Sequence, residues 1–310
     1  RPDAGLLIAA AYPERVAKAC GTGEYLLSGG GEQQVRLDRN DPLSSYEWLS
    51  VARVEGGFIR LAAPVDPALL PLRERDNVGW DPREGKVVSR RESRIGKLLV
   101  SDKPLECSRE QVDAALCEAA RRYGVTMFDF ASVENLQRRV AAAAQWHPEL
   151  DLPSLGTEDV LARPKDWVPW AAAGRTTAQD LRKADLEKAL WSLLSYEQQC
   201  AVDRIAPSHV TVPTGSRIAL EYRVGASAPV LRVRLQECFG LVDTPLVDGR
   251  PVLMELLSPG FKPVQLTSDL RSFWSGTYFE VRAELRRRYP RHSWPDNPLE
   301  AEPVRGVKRR

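Results

Sequence analysis

Glu47-Trp-Leu-Ser-Val-Ala-Arg-Val-Glu-Gly-Gly-Phe-Ile-Arg-Leu-Ala-Ala63 is a pair of β-type runs, Glu47–Arg53 and Phe58–Ala63, closed by a Gly56-Gly57 hairpin turn. Three more short runs precede it: Arg15–Lys18, Glu24–Leu27 and Gln34–Leu37. Five short strands within about fifty residues predict a small closed barrel of the OB type, since closure leaves no open sheet edge. Gly29-Gly30-Gly31, between two strand-like flanks, reads as a hairpin connection and not as a phosphate cradle. Upstream, residues 5–11 read as the tail of a helix stopped at Tyr12-Pro13, because proline disfavours a preceding helical residue.

Beyond the barrel, Val87–Arg91 and Lys97–Val100 form a further strand pair, joined through Ser93 to Gly96. From residue 108 the apolar period becomes helical. Ser108 and Gln111 make a capping box, Val112, Ala115, Leu116 and Ala119 share a face, and Gly124 stands where a C-cap belongs. Further helices are expected over Ser132–Trp146, Leu155–Leu161 and about Thr177–Leu194, with Trp167, Trp170 and Trp191 as core anchors. The period returns to two at Val210–Val212, Arg217–Arg223, Val230–Arg234 and Val252–Leu257, a half-exposed antiparallel pattern. One long helix, Ser268–Arg288, capped by Thr267 or Ser268, closes the ordered part, and Pro290–Arg310 reads as a strap with a mobile tail. The class is α+β: a barrel with a strand pair over 1–105, helices over 106–206, and a C-terminal antiparallel sheet with a packed helix over 207–310.

The 310 residues have room for two or three domains, and 43% hydrophobic with 28% charged residues exclude a disordered or collagen-like chain. No apolar run approaches the roughly 18–20 residues that span a bilayer. The net charge is only +2, yet residues 282–310 hold nine basic and four acidic side chains, a local +5. That basic end suggests a polyanion partner or a solubilising tail. Five widely spaced cysteines without a C-x-x-C and three isolated histidines point to reduced thiols and no metal site. There is no G-x-x-x-x-G-K-[ST], no strand-linked G-x-G-x-x-G and no G-x-S-x-G, so no catalytic residue is assigned.

Leu257-Ser-Pro-Gly-Phe-Lys-Pro-Val-Gln-Leu-Thr-Ser-Asp-Leu-Arg-Ser-Phe-Trp274, then Tyr278 and Arg288-Tyr-Pro-Arg-His-Ser-Trp-Pro295, resembles the C-terminal signature of the HrpB family of bacterial ATP-dependent RNA helicases, of DEAH type. Pro207-Ser-His-Val-Thr-Val-Pro-Thr-Gly-Ser-Arg217, Val233-Arg-Leu-Gln-Glu-Cys-Phe-Gly240, Ala10-Ala-Tyr-Pro-Glu-Arg-Val-Ala17, Gly23-Glu-Tyr-Leu-Leu27 and Glu47-Trp48 are similar to further stretches of that family. Gly260 and Phe261 depart from its usual Ala and Arg. The shared structural motif comprises Pro259, Pro263, Gln265, Thr267, Asp269, Phe273, Trp274, Tyr278, Tyr289 and Trp294.

The resemblance implies an accessory C-terminal region, with both RecA-like motor domains, and the ATP and Mg they hold, belonging to the parent protein. This chain then needs no cofactor of its own. The implied partners are single-stranded RNA, with DNA as the variant, and the motor domains in cis. A cytoplasmic monomer with no membrane partner is expected. A single-strand channel needs cations for phosphates and flat side chains for bases. Arg36, Arg39, Arg53 and Arg60 with Tyr25 and Phe58 are the barrel's candidates, and Arg90, Arg91, Arg94 and Lys97 share the next turn region with only Glu92 opposing them. The competing reading makes each arginine a solvated surface group and the chain a protein-docking module without nucleic-acid contact.

Overall fold

The computed structural model describes residues 3–30 and 34–307, in two compact units, 1–119 and 120–310, divided within one helix. Gly31 and the basic end Lys308–Arg310 lie outside the described residues.

In the first unit, helix α1 (Ala4–Ala11) starts at Asp3, whose carboxylate accepts from the amides of Gly5 and Leu6, and stops before Pro13 as expected. Strands β1 (Val16–Gly21), β2 (Glu24–Leu27), β3 (Gln34–Arg36), β4 (Trp48–Glu55) and β5 (Phe58–Pro64) close into a barrel of order β1-β2-β3-β5-β4. All pairs are antiparallel except β3–β5, which meet in parallel at Arg36 and Phe58. Ala17, Tyr25, Val35, Leu37, Leu49, Val51 and Ile59 fill the interior. Each fully buried large aliphatic there contributes about 1.5–3 kcal/mol.

A three-stranded meander follows: β6 (Arg73–Asp81), β7 (Lys86–Ile95) and β8 (Leu98–Pro104). The sequence anticipates only the last two. Its turn is also corrected, because β7 runs on through Arg94 to Ile95 and the reversal falls at Gly96-Lys97. Gly96 has φ +54° and lies so close to the barrel that a Cβ would stand 2.1 Å from the Ser28 carbonyl oxygen. Ala9, Val16, Trp48, Val65, Ile95 and Leu98 form the cluster that joins helix, barrel wall and meander turn.

Helix α2 (Arg109–Met127) opens on the Ser108–Gln111 capping box, both reciprocal hydrogen bonds being present. It passes straight through Gly124, which is therefore no cap. The glycine admits Leu161, whose Cδ2 would be 2.3 Å from a Cβ at that position.

In the second unit, α3 (Glu134–Trp146) buries Leu136 and Val140, and α4 (Thr157–Ala162) and α5 (Val168–Ala172) follow. The single helix expected over 177–194 is two, α6 (Ala178–Leu181) and α7 (Leu186–Trp191), since Asp185 breaks the run by capping the Lys188 amide. Helix α8 (Tyr196–Ile205), which the sequence reading lacks, begins at a Ser195–Gln198 capping box. Trp167 is fully buried, but Trp170 is 48% exposed and is no core anchor. Trp191 is half-buried beneath Arg139, a buried guanidinium that pairs with Asp203.

The C-terminal sheet orders as β15-β14-β11-β10-β9, from β9 (His209–Thr211), β10 (Arg217–Glu221), β11 (Val230–Arg234), β14 (Leu253–Leu257) and β15 (Pro263–Thr267), with a side hairpin β12 (Leu246–Val247) and β13 (Arg250–Pro251). It is not purely antiparallel, because β11 and β14 run parallel. The long helix is also divided, into α9 (Leu270–Ser275) and α10 (Tyr278–Arg288), at Gly276-Thr277. Glycine weakens a helix interior by roughly 1 kcal/mol, and the apolar stripe continues across the break. The cap is Asp269, accepting from the Ser272 amide, while Thr267 ends β15. The strap after Pro290 is pinned: Gly240 donates to the Pro298 carbonyl, Val304 to that of Gln236, and Arg305 to that of Thr214.

One ionic node ties α3 to the β12–β13 hairpin. Nδ1 of His147 lies 2.9 Å from Glu149 and Nε2 lies 2.8 Å from Asp248, which also accepts from Arg250. Hydrogen bonds to Glu149 and Asp248 raise the His147 pKa above 6.5, against a smaller desolvation. Burial opposes ionisation of Asp248, but His147 and Arg250 hold its pKa below the ordinary value. A raised histidine pKa contributes stability that is complete below 6.5 and lost as pH rises through the folded value. Unfolding midpoints should therefore fall as pH climbs from 6 to 8, and Asp248→Asn should flatten that dependence. Equal slopes in the two proteins would remove the node from the balance.

Candidate nucleic-acid interface

On the barrel surface, β3 and β5 bring two cations to one ring. The Arg36 guanidinium carbon is 5.4 Å and that of Arg60 is 5.3 Å from the centroid of Phe58. Strand alternation causes this: Ile59 points into the core, so Phe58 and Arg60 point out, and the β3–β5 register sets Arg36 beside them. Arg60 is 3.4 Å from Asp38, whereas Arg36 and Arg39 have no acidic partner among the described residues. Arg53 is paired to Glu55. Tyr25 is fully buried, its hydroxyl 2.7 Å from the Tyr46 carbonyl oxygen, and offers no face to a base.

On the meander, the expected cation cluster is divided. Arg91 and Asp76 make a bidentate pair at 2.7 and 2.9 Å, Arg90 is 2.6 Å from Asp102, and Arg94 is 3.2 Å from Glu92. Two acids from neighbouring strands therefore join Glu92 against these arginines, because register and not sequence proximity supplies them. Successive strand residues face opposite ways, which puts Arg91 on the face away from Arg90 and Arg94. The hydrogen bonds from Arg91 hold the Asp76 carboxyl below the usual carboxylate range. Lys97 lies along Gly30 at the mouth of a cavity of about 440 Å³, with Glu14 on its rim. Sequence reasoning missed the exposed arginines Arg73 and Arg75 on β6. An Arg-x-Arg spacing was the only signal, and without apolar alternation it does not mark a strand.

The aromatic signature residues near the C-terminus are packing residues. Phe273, Trp274 and Tyr278 are buried and pack against one another in tilted and edge-to-face arrangements. Trp294 donates to the Tyr289 carbonyl, and Tyr289 lies against Gly260, while Pro259 and Gln265 are half-buried and Pro263 is exposed.

Two family models match this chain: the ATP-dependent helicase C-terminal region over residues 167–298, and the connector region of the ATP-dependent RNA helicase HrpB over residues 72–105, which is the meander. The ATP-dependent RNA helicase HrpB of Escherichia coli (strain K12) is 36% identical over 320 residues, covering 98% of this chain. This chain matches the C-terminal region of the HrpB helicase family. It spans 39% of the length of that HrpB relative. Two solved structures agree: an E. coli DExH-box NTPase HrpB at 37% identity and TM-score 0.61, covering 96% of this chain and 39% of that one, and an Escherichia coli DEAH/RHA helicase HrpB at 35% and 0.54, covering 94% and 38%. The α+β class, the closed five-stranded barrel and the C-terminal sheet with its helices accord with that HrpB architecture.

Proposed function

We propose that this chain guides single-stranded nucleic acid for an ATP-dependent RNA helicase and docks or regulates the motor domains that hydrolyse ATP. The observation that carries the reading is Phe58 flanked by Arg36 and Arg60 on the outer wall of the barrel. A ring between two guanidiniums offers a stacking face for a base and cations for the adjoining phosphates, a sequence-tolerant combination. The chain's own residues do not fit ATP and Mg: the sequence has no phosphate loop, and no group of three or more His, Cys, Asp or Glu could hold a metal among the described residues. ATP hydrolysis is therefore assigned to motor domains in cis, in the cytoplasm, and no step of it to this chain.

Binding of a labelled oligouridylate, followed by anisotropy across a KCl series, tests the reading. Weak, salt-dependent binding is expected, and Arg36→Gln with Arg60→Gln should lower the salt slope by about 1.4, at roughly 0.7 per single-strand phosphate contact. No binding at low salt would favour the second reading, a docking module, whose support is the buried aromatic signature around Trp274.

A further inference from the structure

His147 stands where α3 ends, its amide donating to the Ala143 carbonyl at 2.9 Å, and each of its ring nitrogens meets a different carboxylate. Nδ1 is 2.9 Å from Oε1 of Glu149, and Nε2 is 2.8 Å from Oδ2 of Asp248. A carboxylate only accepts and a neutral imidazole carries one N–H, so both contacts are hydrogen bonds only when the ring is an imidazolium. A cation also suits the carbonyl end of α3. Both acids are ionised near neutral pH. The Glu149 carboxyl is held below the usual carboxylate range by its own backbone amide and by His147. Burial opposes ionisation of Asp248, but His147 and Arg250 outweigh it. Once the proton leaves, a bare ring nitrogen faces a carboxylate oxygen at hydrogen-bond distance, and one of the two contacts has to open.

The two carboxylates are held unequally. Asp248 and Gly249, at φ +50° and +73°, make the tight turn of the β12–β13 hairpin. The same Oδ2 accepts from Arg250 at 2.6 Å, and that guanidinium carbon lies 4.4 Å from the centroid of Trp146. The Asp248 side chain is 22% exposed, against 67% for Glu149. Glu149 rides on the single turn Pro148–Leu150, closed by Leu150 donating to the His147 carbonyl and Asp151 to that of Pro148. Asp151 has φ +46°, and its carbonyl accepts from the side-chain amide of Gln198, the residue that completes the α8 capping box. Glu149 and Asp248 are the charged groups that face the ring among the described residues, with Arg250 reaching the same Asp248 oxygen.

We propose that His147 is a proton-operated latch. Charged, it holds the 148–151 turn and the β12–β13 hairpin at once. Neutral, it keeps its Nε2–H on Asp248, presents a bare Nδ1 to Glu149 and lets the turn go. The proton passes to solvent and no other group changes charge. The element that moves is therefore the turn and not the hairpin, and the release reaches the start of α8 through Asp151 and Gln198.

The test uses the full 310-residue chain. Nitrogen-15 spectra of the histidine rings across a pH series, with the His147 signals assigned by their loss in His147→Gln, should show a bare Nδ1 and a protonated Nε2 at the alkaline limit. Between about pH 6 and about pH 8, hydrogen-exchange protection at Leu150 and Asp151 should fall about ten-fold. Val252, whose amide closes the hairpin on the Pro245 carbonyl, should keep its protection. Glu149→Gln is the informative variant, because an amide can donate to a bare nitrogen and accept from a protonated one. It should fold normally and abolish the loss at Leu150 and Asp151. A bare Nε2 at high pH, or loss of protection at Val252 together with the turn, would place the opening at the hairpin and overturn the proposal. An undiminished loss at Leu150 and Asp151 in Glu149→Gln would overturn it as well.

Discussion

Trp274→Ala is expected to destabilise the second unit as a whole, not to remove one contact from an intact surface. The ring is 3% exposed, and its Nε1 donates to the Leu241 carbonyl at 2.7 Å. Phe239, Phe273 and Tyr278 surround it at centroid distances of 6.0, 5.2 and 5.3 Å. Replacing such a ring by a methyl group costs about 3–5 kcal/mol, from lost transfer energy and the cavity left behind. A domain's whole margin is about 5–15 kcal/mol. The unfolding midpoint of this unit should drop on the order of 10 °C, since each kcal/mol moves a domain of this size by roughly 2–4 °C. Near-ultraviolet circular dichroism during heating reads the loss directly. Trp274→Phe, which keeps a ring but drops the hydrogen bond, should fall between. A Trp274→Ala protein with an intact midpoint and no oligonucleotide binding would make the ring a stacking platform and reverse the assignment.

What the sequence shows and what it hides follow from how each feature is encoded. The barrel is legible because its strands alternate with period two and its turns carry glycine, so local pattern and global closure agree. Strand β6 is hidden because Arg73–Asn77 are polar on both faces, and a strand without an apolar side has no alternation to read. The break at Gly276 is hidden for a different reason: Phe273, Trp274 and Tyr278 keep helical spacing across it, so the stripe looks continuous. Charge was misjudged most. Asp76 and Asp102 are far from Arg91 and Arg90 in sequence and meet them only through strand register, which turns a bare basic run into paired charges. The same register exposes Arg73 and Arg75, which no local composition had singled out. On the barrel, by contrast, Arg36, Phe58 and Arg60 were each readable as surface candidates, and the closed strand order brings them together.

Glu237→Ala should be the second most damaging change. This carboxylate is 5% exposed, and its Oε1 accepts from the Thr214 hydroxyl at 3.0 Å and the Ser216 hydroxyl at 2.8 Å. Its other oxygen lies 3.5 Å from Arg234, whose guanidinium covers the Phe261 ring at 4.8 Å. One side chain therefore joins the turn before β10 to the end of β11. The same two places anchor the strap, through Arg305 on the Thr214 carbonyl and Val304 on that of Gln236. Removing the acid leaves a largely buried guanidinium without its countercharge and two hydroxyls without their acceptor, a loss of about 3–5 kcal/mol. Glu237→Gln keeps the volume and one acceptor for the hydroxyls, so it should cost less while still leaving Arg234 uncompensated. Hydrogen exchange separates local from global effects: the amides of Gly240 and Val304 should lose protection in Glu237→Ala before the central strands β11 and β14 do. Wild-type protection at Val304 together with a wild-type midpoint would mean that the strap is held by backbone contacts alone, and that the buried carboxylate serves only its own turn.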